Sequence, residues 1–379
     1  MHKIIRIGLD TSKSVFQLHG VDAAEQPVLR KKLRRRDVLG FFAKLEPSRI
    51  GVEACGGAHY WARELQALGH EVVLLPPQYV KPYVQRGKND AADADAICEA
   101  MSRPRMRFVA VKTAEQEAAQ MLMGMRDRLI GWRTQLSNAI RGYAAEFGLV
   151  AAKGLDKIEP LLARIGNDPN VPELAKQLFT THGQEYARLK VQIREIEAKL
   201  RAWHWQNELS RRLAEVPAIG PIGACLLAIK VSDPRAFRCG RDFSAWVGLT
   251  PKDHSTAGKV RLGVITRAGD KMLRRVLVAG ATAVIQQVRN GKGTPSTWLA
   301  ELLRRKPPKL AAVALASKTA RIAWKLMVSG ERYNPDHVRQ APPRARSEGR
   351  SAALNGGSAP RPSLPSCPTA SAAAAPTGA

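Results

Sequence analysis

The sequence predicts an α/β domain, then a long helical region, then a second, mostly helical domain. Short apolar runs alternate with amphipathic helical segments over the first 112 residues, which is typical of a mixed sheet flanked by helices. Two long apolar stripes with alternating steps of four and three residues follow, and they indicate long helices. We therefore expect domains at 1–112, 113–205 and 206–333, and a tail at 334–379.

The first domain is predicted to contain five strands. The strand-like runs are KIIRIGL, VFQLHGV, PVLRKKL, RIGVEA and EVVLLPP, and the first two read as a hairpin. The segments DVLGFFAKL and AHYWARELQALG read as helices between them. Asp37 stands where an N-cap belongs, and Gly69 where a helix ends.

The two stripes predict helices that pack along their length. The first stripe comprises Ala118, Leu122, Met125, Leu129, Trp132, Leu136, Ile140, Tyr143 and Phe147. The second comprises Tyr186, Leu189, Ile193, Ile196, Leu200 and Trp203. An antiparallel pair within one chain and a dimerising coiled coil both fit this pattern.

The charge of the chain favours a polyanionic partner. Lysine and arginine total 60 against 33 acidic residues, a formal net charge of +27. Nucleic acid is the leading partner class, and an anionic membrane surface is a distant second. Five scattered cysteines without a CxxC pair argue for a reducing cytoplasm. The N-terminal apolar run is too short for a signal peptide, and no segment reads as a membrane span.

Acidic residues cluster in GKNDAADADAIC, although the chain is basic. The cluster has two readings: negative charge suits a helix N-terminus, or the acids hold a metal ion. Asp90 and Asp93 are three apart, which places both on one helix face. Asp10 and Glu53 each end a predicted strand. Together these four carboxylates predict a site for Mg²⁺, with Mn²⁺ as an alternative ion. Asp95 is a fifth acid and an alternative to Asp93.

A serine lies in a small-residue loop, PKDHSTAGKVRLG. A turn-forming role is the ordinary reading of Ser255. A nucleophilic role needs a base, for which His254 and a metal-bound water are both candidates, and cations that stabilise a phosphoryl group. The cations around the loop, which we predict to bind nucleic acid, are Lys252, Lys259, Arg261, Arg267, Lys271 and Arg274.

The segment LAEVPAIGPIGACLLAIK resembles a helix-hairpin-helix, whose backbone N–H groups contact phosphates. Gly220 and Gly223 would supply those groups, and an ordinary helical connection is the alternative. The tail is rich in Pro, Ala, Ser and Gly, a composition that predicts disorder.

Five segments in order carry a resemblance that covers about residues 1 to 330. They are IGLDTSK, GVEACGG, KNDAADADAI, VPAIGPIGACLLA and HSTAGKVRLGVITRAGDKMLRRVL. Together they resemble the DEDD transposases of bacterial insertion sequences, in the insertion-sequence one-hundred-and-ten family and closer to its eleven-eleven subgroup. Piv-type DNA invertases are similar.

The resemblance implies an N-terminal RuvC-like domain of the ribonuclease H type, whose acidic motif corresponds to Asp10, Glu53, Asp90 and Asp93. It implies a coiled-coil region that forms homodimers or homotetramers, and a C-terminal transposase domain whose nucleophile corresponds to Ser255. Members of the family form a phosphoserine link to DNA. They are guided by a structured RNA of the element that bridges donor and target double-stranded DNA. A cytoplasmic, nucleoid-associated transposase is therefore expected.

Three rival functions stay open at this point. A RuvC-like, structure-specific endonuclease would use water as its nucleophile. The segment GLDTSKSVFQLHG also resembles the first phosphate loop of actin-like sugar kinases, but the second phosphate loop and the adenosine segment are missing from the sequence. A nucleic-acid binder without enzymatic activity is the third.

Overall fold

The structure, a computed structural model, describes residues 3–84, 90–256 and 258–335. Its N-terminal part is built on a five-stranded sheet with the order β3-β2-β1-β4-β5. The strands are β1 (Arg6–Asp10), β2 (Val15–Val21), β3 (Pro27–Arg34), β4 (Arg49–Glu53) and β5 (Glu71–Leu75). The pairs β1–β2 and β2–β3 are antiparallel, whereas β4 runs parallel to both β1 and β5. The predicted strands and the mixed sheet are confirmed.

In the described residues, four α-helices accompany this sheet. They are α1 (Val38–Phe42), α2 (Ala58–Ala67), α3 (Pro77–Val80) and α4 (Asp90–Met101). Phe16, Phe42 and Trp61 are buried in the core between the sheet and α1 and α2, where the Phe16 and Trp61 rings meet edge to face at 4.8 Å. Gly69 adopts φ +90° just after α2 and ends it as predicted.

The side-chain cap predicted at Asp37 is wrong. Asp37 occupies the N-cap position of α1, but within the described part of the chain its carboxylate caps no backbone N–H there. Its backbone is helical because a short 3₁₀ turn precedes α1 directly. A capping side chain needs an extended backbone at that position. The carboxylate lies 3.7 Å from Nε of Arg36 instead.

The central part is a pair of long helices joined by a short one. They are α5 (Ala114–Glu146), α6 (Ile158–Asn167) and α7 (Glu173–Gln206). Helix α5 begins with a capping box in which Thr113 and Gln116 satisfy each other's backbone N–H groups. Leu129 packs near the middle of α7, whereas Ala119 shares a core with Leu200. The two helices are therefore antiparallel neighbours within one chain.

The two predicted stripes differ in how many of their residues are buried. In α7, Tyr186, Leu189, Ile193 and Leu200 are buried as expected. In the stripe of α5, Leu129 and Ile140 are buried, but Met125, Trp132, Tyr143 and the C-cap residue Phe147 are exposed. The buried face of α5 is rotated by about one residue, toward Ala119, Met123 and Ala144. The stripe is wider than the contact with α7, so its far edge faces solvent.

The C-terminal part is mostly helical. Its helices are α8 (Glu208–Ala214), α9 (Pro221–Lys230), α10 (Gly240–Val247), α11 (Lys271–Arg289), α12 (Thr297–Arg305) and α13 (Pro308–Ser329). A two-stranded hairpin, β6 (Pro251–Asp253) and β7 (Leu262–Ile265), lies between α10 and α11. Helix α9 is buried at the centre of this core. Asp270 caps α11 by accepting hydrogen bonds from Met272 and Leu273.

All described residues belong to one compact unit. The predicted boundary at 112 falls just before α5, whereas the boundary at 205 falls one residue before the end of α7. Both stay predictions. Among the helices in the described ranges, none has the length and apolar character to cross a membrane. The tail for which the sequence predicts disorder lies outside the described residues, apart from its first two positions.

Candidate active site

Two of the predicted acidic residues end neighbouring strands of the sheet. Strands β1 and β4 are parallel neighbours, with Leu9 opposite Val52. The next residues, Asp10 and Glu53, therefore end the two strands at the same edge of the sheet. Both side chains are half-buried. The parallel register puts these two strand ends next to each other, and the convergence of the two carboxylates on one site stays a prediction.

Helix α4 brings Asp93 to this edge because the strands beneath it carry glycine. A Cβ on Gly8 would lie 2.0 Å from the Ala94 carbonyl oxygen and 2.6 Å from the Cys98 nitrogen. Nε of Arg6 donates to the Cys98 carbonyl at 3.0 Å. Helix α4 thus runs opposite to β1, and its first turn, with Asp93, lies toward the carboxyl end of that strand.

The charge of Asp93 acts on the Glu53 carboxyl. Burial raises the pKa of Glu53, and the negative charge of Asp93 raises it further. Both effects disfavour the ionised carboxylate. A divalent cation would remove this repulsion, so the two side chains fit a metal site in their chemistry. Among the described residues no group of three His, Cys, Asp or Glu is placed to hold a metal, and the Asp90 side chain lies outside them. The four-carboxylate site stays a prediction.

Asp95 faces a different part of the sheet. Its Oδ1 lies 3.4 Å from Nε2 of the buried His19 on β2. Burial lowers the pKa of His19, whereas the Asp95 charge raises it. Asp95 borders a cavity on the β2–β3 side with Lys31 and Lys32. Of the two alternatives, Asp93 is the one whose charge acts on Glu53.

Ser255 lies in the loop of the β6–β7 hairpin and is exposed. Its backbone N–H donates to Oδ1 of Asp253 at 2.9 Å, and its Oγ accepts the Arg261 N–H at 3.0 Å. A hydrogen bond with the Ser255 side chain is the main cause that lowers the pKa of Asp253. The hairpin thus holds the hydroxyl between a carboxylate and a backbone donor.

Asp253 was not predicted as the partner of the serine. His254 was a predicted candidate base, but its ring packs over Gly263, where a Cβ would lie 3.1 Å from the imidazole. An aspartate two residues before a serine is a common Asx-turn pattern. That spacing was the signal in the sequence.

The predicted basic residues fall into two groups. Lys252, Lys259, Arg261, Arg267 and Lys271 are exposed near the hairpin. Arg274 instead donates to the carbonyl oxygens of Val247 and Ala268, at 3.0 and 2.7 Å. It ties the end of α10 to the loop before α11.

The two predicted glycines of the helix-hairpin-helix also differ. Gly220 is exposed in front of α9, as a phosphate contact requires. Gly223 is buried inside α9, and a Cβ there would lie 2.9 Å from Cγ1 of Val276. Gly223 therefore serves the packing of α9 against α11.

Two family profiles match the two ends of this architecture. A transposase profile of the DEDD IS110 class matches residues 7–147, which include the sheet, α4 and all of α5. The profile of the transposase IS116/IS110/IS902 family matches residues 210–293, which include α9 and the serine hairpin.

Similar proteins align over most of the chain. One is y4pF/y4sB of Sinorhizobium fredii, named as a transposase, which is 66% identical over 88% of this chain and 86% of its own length. The transposase for insertion sequence element IS1328 of Yersinia enterocolitica is 38% identical over 87% of this chain and 98% of its own. The transposase for insertion sequence element IS1111A of Coxiella burnetii is 37% identical over 88% and 92%. With the acid-bearing sheet and the serine hairpin both inside matched regions, the chain belongs to the IS110 family of transposases, enzymes that cleave and rejoin DNA.

Proposed function

We propose that this transposase cuts and rejoins DNA with two sets of side chains. Asp10, Glu53, Asp90 and Asp93 form the metal-binding set, in an N-terminal domain of the RuvC-like type. Ser255 is the nucleophile in the C-terminal domain. The observation that carries the proposal is the effect of Asp93 on Glu53, since two carboxylates that repel each other at a sheet edge are suited to a shared cation.

The acidic set would hold Mg²⁺, with Mn²⁺ as a substitute. A bound ion would supply positive charge to stabilise the scissile phosphate and the leaving oxygen. The divalent metal is expected of DEDD transposases, and the choice of Mg²⁺ is supported by the all-oxygen ligand set. In this chain Asp10 and Glu53 fix the strand side of the site, and α4 supplies the other side.

The serine step transfers a phosphoryl group of the DNA backbone to the protein. Ser255 Oγ bonds to phosphorus, one P–O ester bond of the DNA breaks, and the departing DNA oxygen takes up a proton. The serine proton must leave, and Asp253 is the carboxylate that the hydroxyl contacts. Its lowered pKa makes Asp253 a weak base, so we assign it the role of orienting the hydroxyl. The reverse reaction with a new DNA end rejoins the strand.

The partners follow from the family and the charge. Double-stranded DNA at the element ends and target is the substrate, and a structured RNA of the element is the guide. The net charge of +27 suits both polyanions. Homodimers or homotetramers would bring the acidic set of one copy to the serine of another. We place the protein in the bacterial cytoplasm, with the nucleoid.

A denaturing gel tests the proposal. Purified protein is incubated with Mg²⁺, DNA of the element end and the flanking transcript, and a covalent protein–DNA band is sought. The band is expected for wild type and for the neighbouring Thr256→Val control, and is expected to be lost in Ser255→Ala and Asp93→Asn. DNA cleavage that survives Ser255→Ala without any covalent band would establish the hydrolytic endonuclease instead.

A further inference from the structure

The serine hairpin presents large aliphatic side chains to solvent. Leu262 is 63% exposed and Val264 is 68% exposed, and Val260, just before them, is 77% exposed. Residues two apart along a strand project from the same face, so Leu262 and Val264 of β7 form one apolar face of the hairpin. Neighbouring exposed apolar side chains of this kind mark a binding surface.

The opposite face of the hairpin carries polar side chains. A Cβ at Gly263 would lie 3.1 Å from the His254 ring and 3.7 Å from Cβ of Lys252. Gly263 therefore faces these two residues of β6 and the turn that follows it. Because successive residues of a strand point to opposite faces, Leu262 and Val264 point away from the imidazole.

The contacts of Ser255 link it to the apolar face. Asp253 is the partner of Leu262 in the β6–β7 ladder, and two residues directly opposite each other share a face, with Cβ atoms about 4.5–5.5 Å apart. Oδ1 of Asp253 accepts the Ser255 N–H at 2.9 Å. Ser255 Oγ accepts the N–H of Arg261, the residue before Leu262, at 3.0 Å. Leu262 is thus an apolar neighbour of the serine.

A phosphate that reaches Ser255 brings a sugar to Leu262. Each phosphate of a nucleic-acid strand is bonded to a sugar on either side, and successive phosphates advance by about 3.4 Å along one strand of a duplex. Deoxyribose has only C–H bonds at its 2′ carbon, whereas ribose has a hydroxyl there. An apolar side chain accommodates the C–H group, but it leaves the hydroxyl without a hydrogen-bond partner, which is unfavourable.

The cations of the hairpin cannot make this distinction. Lys252, Lys259 and Arg261 are exposed, and their attraction to phosphate does not depend on the sugar. DNA and RNA carry the same phosphate group. Discrimination between the two strands at the serine therefore falls to side chains that contact the sugar.

We propose that Leu262 determines sugar specificity at the serine: it packs against the deoxyribose beside the attacked phosphate and disfavours ribose. Val264 extends the same apolar face along the strand. The inference rests on the proposed role of Ser255. It accounts for how a protein that holds both DNA and a guide RNA would direct its serine to DNA alone.

Single ribonucleotides in the DNA test this specificity. The substrates are element-end DNA and two copies of it, with one ribonucleotide on either side of the phosphate at the element end. The full-length protein, with Mg²⁺ and the flanking transcript, is assayed for the rate of covalent band formation in a single turnover. Leu262→Asn is compared with wild type and with Leu178→Asn, which alters a 55% exposed leucine on α7.

Wild type should form the band at least about tenfold faster on DNA than on one of the two ribonucleotide substrates. Leu262→Asn offers an amide that can hydrogen-bond the hydroxyl, so this ratio should fall to about threefold or less. Leu178→Asn should keep the wild-type ratio. Equal wild-type rates on all substrates would overturn the proposal, as would a Leu262→Asn protein that is slowed on every substrate but keeps the ratio.

Thermal unfolding of the free protein guards against a change in folding. Because Leu262 is largely exposed, Leu262→Asn and Leu262→Ala should both melt at the wild-type temperature. Leu262→Ala should also reduce the preference for DNA, since it removes most of the apolar contact. A clearly lowered melting temperature in both variants would mean that the chain itself covers Leu262, and would contradict the proposal.

Binding separates this inference from the serine proposal. Ser255→Ala should still bind the all-DNA probe more tightly than one of the two ribonucleotide probes, and Ser255→Ala/Leu262→Asn should lose that preference. If wild type forms no covalent band, the serine proposal fails, but the binding preference still reports on Leu262. A covalent band without any sugar preference, in rate or in binding, would reject the role of Leu262 alone.

Discussion

Gly8 of β1 and Gly51 of β4 lie opposite each other in the parallel pair, and α4 crosses both of them. A Cβ at Gly51 would lie 2.7 Å from Sδ of Met101, and one at Gly8 would lie 2.0 Å from the Ala94 carbonyl oxygen. This glycine pair sets the distance between the sheet and α4, and therefore the distance between Asp93 and the two strand-end acids.

Substitution of Gly8 tests that relationship. Because the clash at Gly8 is with backbone, Gly8→Ala must displace α4, and we expect a loss of about 1–3 kcal/mol in the free energy of unfolding. Gly51→Ala should cost less, since its nearest neighbour is the flexible Met101 side chain. The control is Gly40→Ala in α1, which meets no atom within 4 Å. Urea unfolding measures all three, and a Gly8→Ala protein as stable as wild type would refute the close approach.

The buried Arg6 of β1 forms a hydrogen bond that links this strand to α4. Its Nε donates to Cys98, and its guanidinium pairs with Glu25. Arg6→Lys keeps the charge but cannot make both contacts, and leaves a buried carbonyl without its donor. We expect a loss of about 1–3 kcal/mol in chemical denaturation. Lys3→Ala, which removes an exposed pair with Glu46, should cost less than about 1 kcal/mol. Equal losses of unfolding free energy in the two variants would mean that the Arg6 contacts do not stabilise the fold.

Glu53 makes stability depend on pH and metal. A carboxyl whose folded pKa is raised contributes stability that is present below its unfolded pKa of about 4.3 and is lost as the pH rises through the folded value. Glu53→Gln should therefore raise the melting temperature of the metal-free protein at pH 7, and the gain should vanish in acid. Mg²⁺ should raise the melting temperature of wild type more than that of Glu53→Gln. Glu146→Gln, on the surface of α5, is the control, and identical behaviour of both variants would argue against a cation at Glu53.

Asp253 should affect the serine step without abolishing it. Asp253→Asn keeps an oxygen that can accept the Ser255 N–H but removes the charge beside the hydroxyl. We expect the covalent band to form about 10–100-fold more slowly, against complete loss in Ser255→Ala. The rate of band formation over a pH series measures this. His254→Ala should slow band formation less than Asp253→Asn does. A larger effect of His254→Ala would indicate that the histidine, not Asp253, assists the serine.

The rotated face of α5 gives a contrast between two apolar residues three positions apart. Leu129 is fully buried and Trp132 is 47% exposed. Leu129→Ala should cost about 2–5 kcal/mol of unfolding free energy, whereas Trp132→Ala should change it by less than about 1 kcal/mol in a monomer. Sedimentation of the same variants tests the proposed oligomer. A lower mass for Trp132→Ala alone would assign the exposed edge to contacts between copies.

The sequence by itself determined the order of strands and helices. Short apolar runs predicted β1 to β5, and the two apolar stripes predicted the long helices α5 and α7. It also placed Asp10 and Glu53 at strand ends and Ser255 in a loop. These features depend on local backbone preferences and on which face of an element is apolar. Both are determined by residues that are close together in the sequence.

Only the tertiary structure decided which side chains meet. Asp93 rather than Asp95 acts on Glu53, because the glycines of β1 and β4 fix where α4 crosses the sheet. Gly223 and Arg274 proved to hold helices and loops together, and one edge of the α5 stripe stays in solvent. Such outcomes depend on contacts between residues far apart in the chain. A local sequence pattern does not show how close two such side chains lie or which way each one faces.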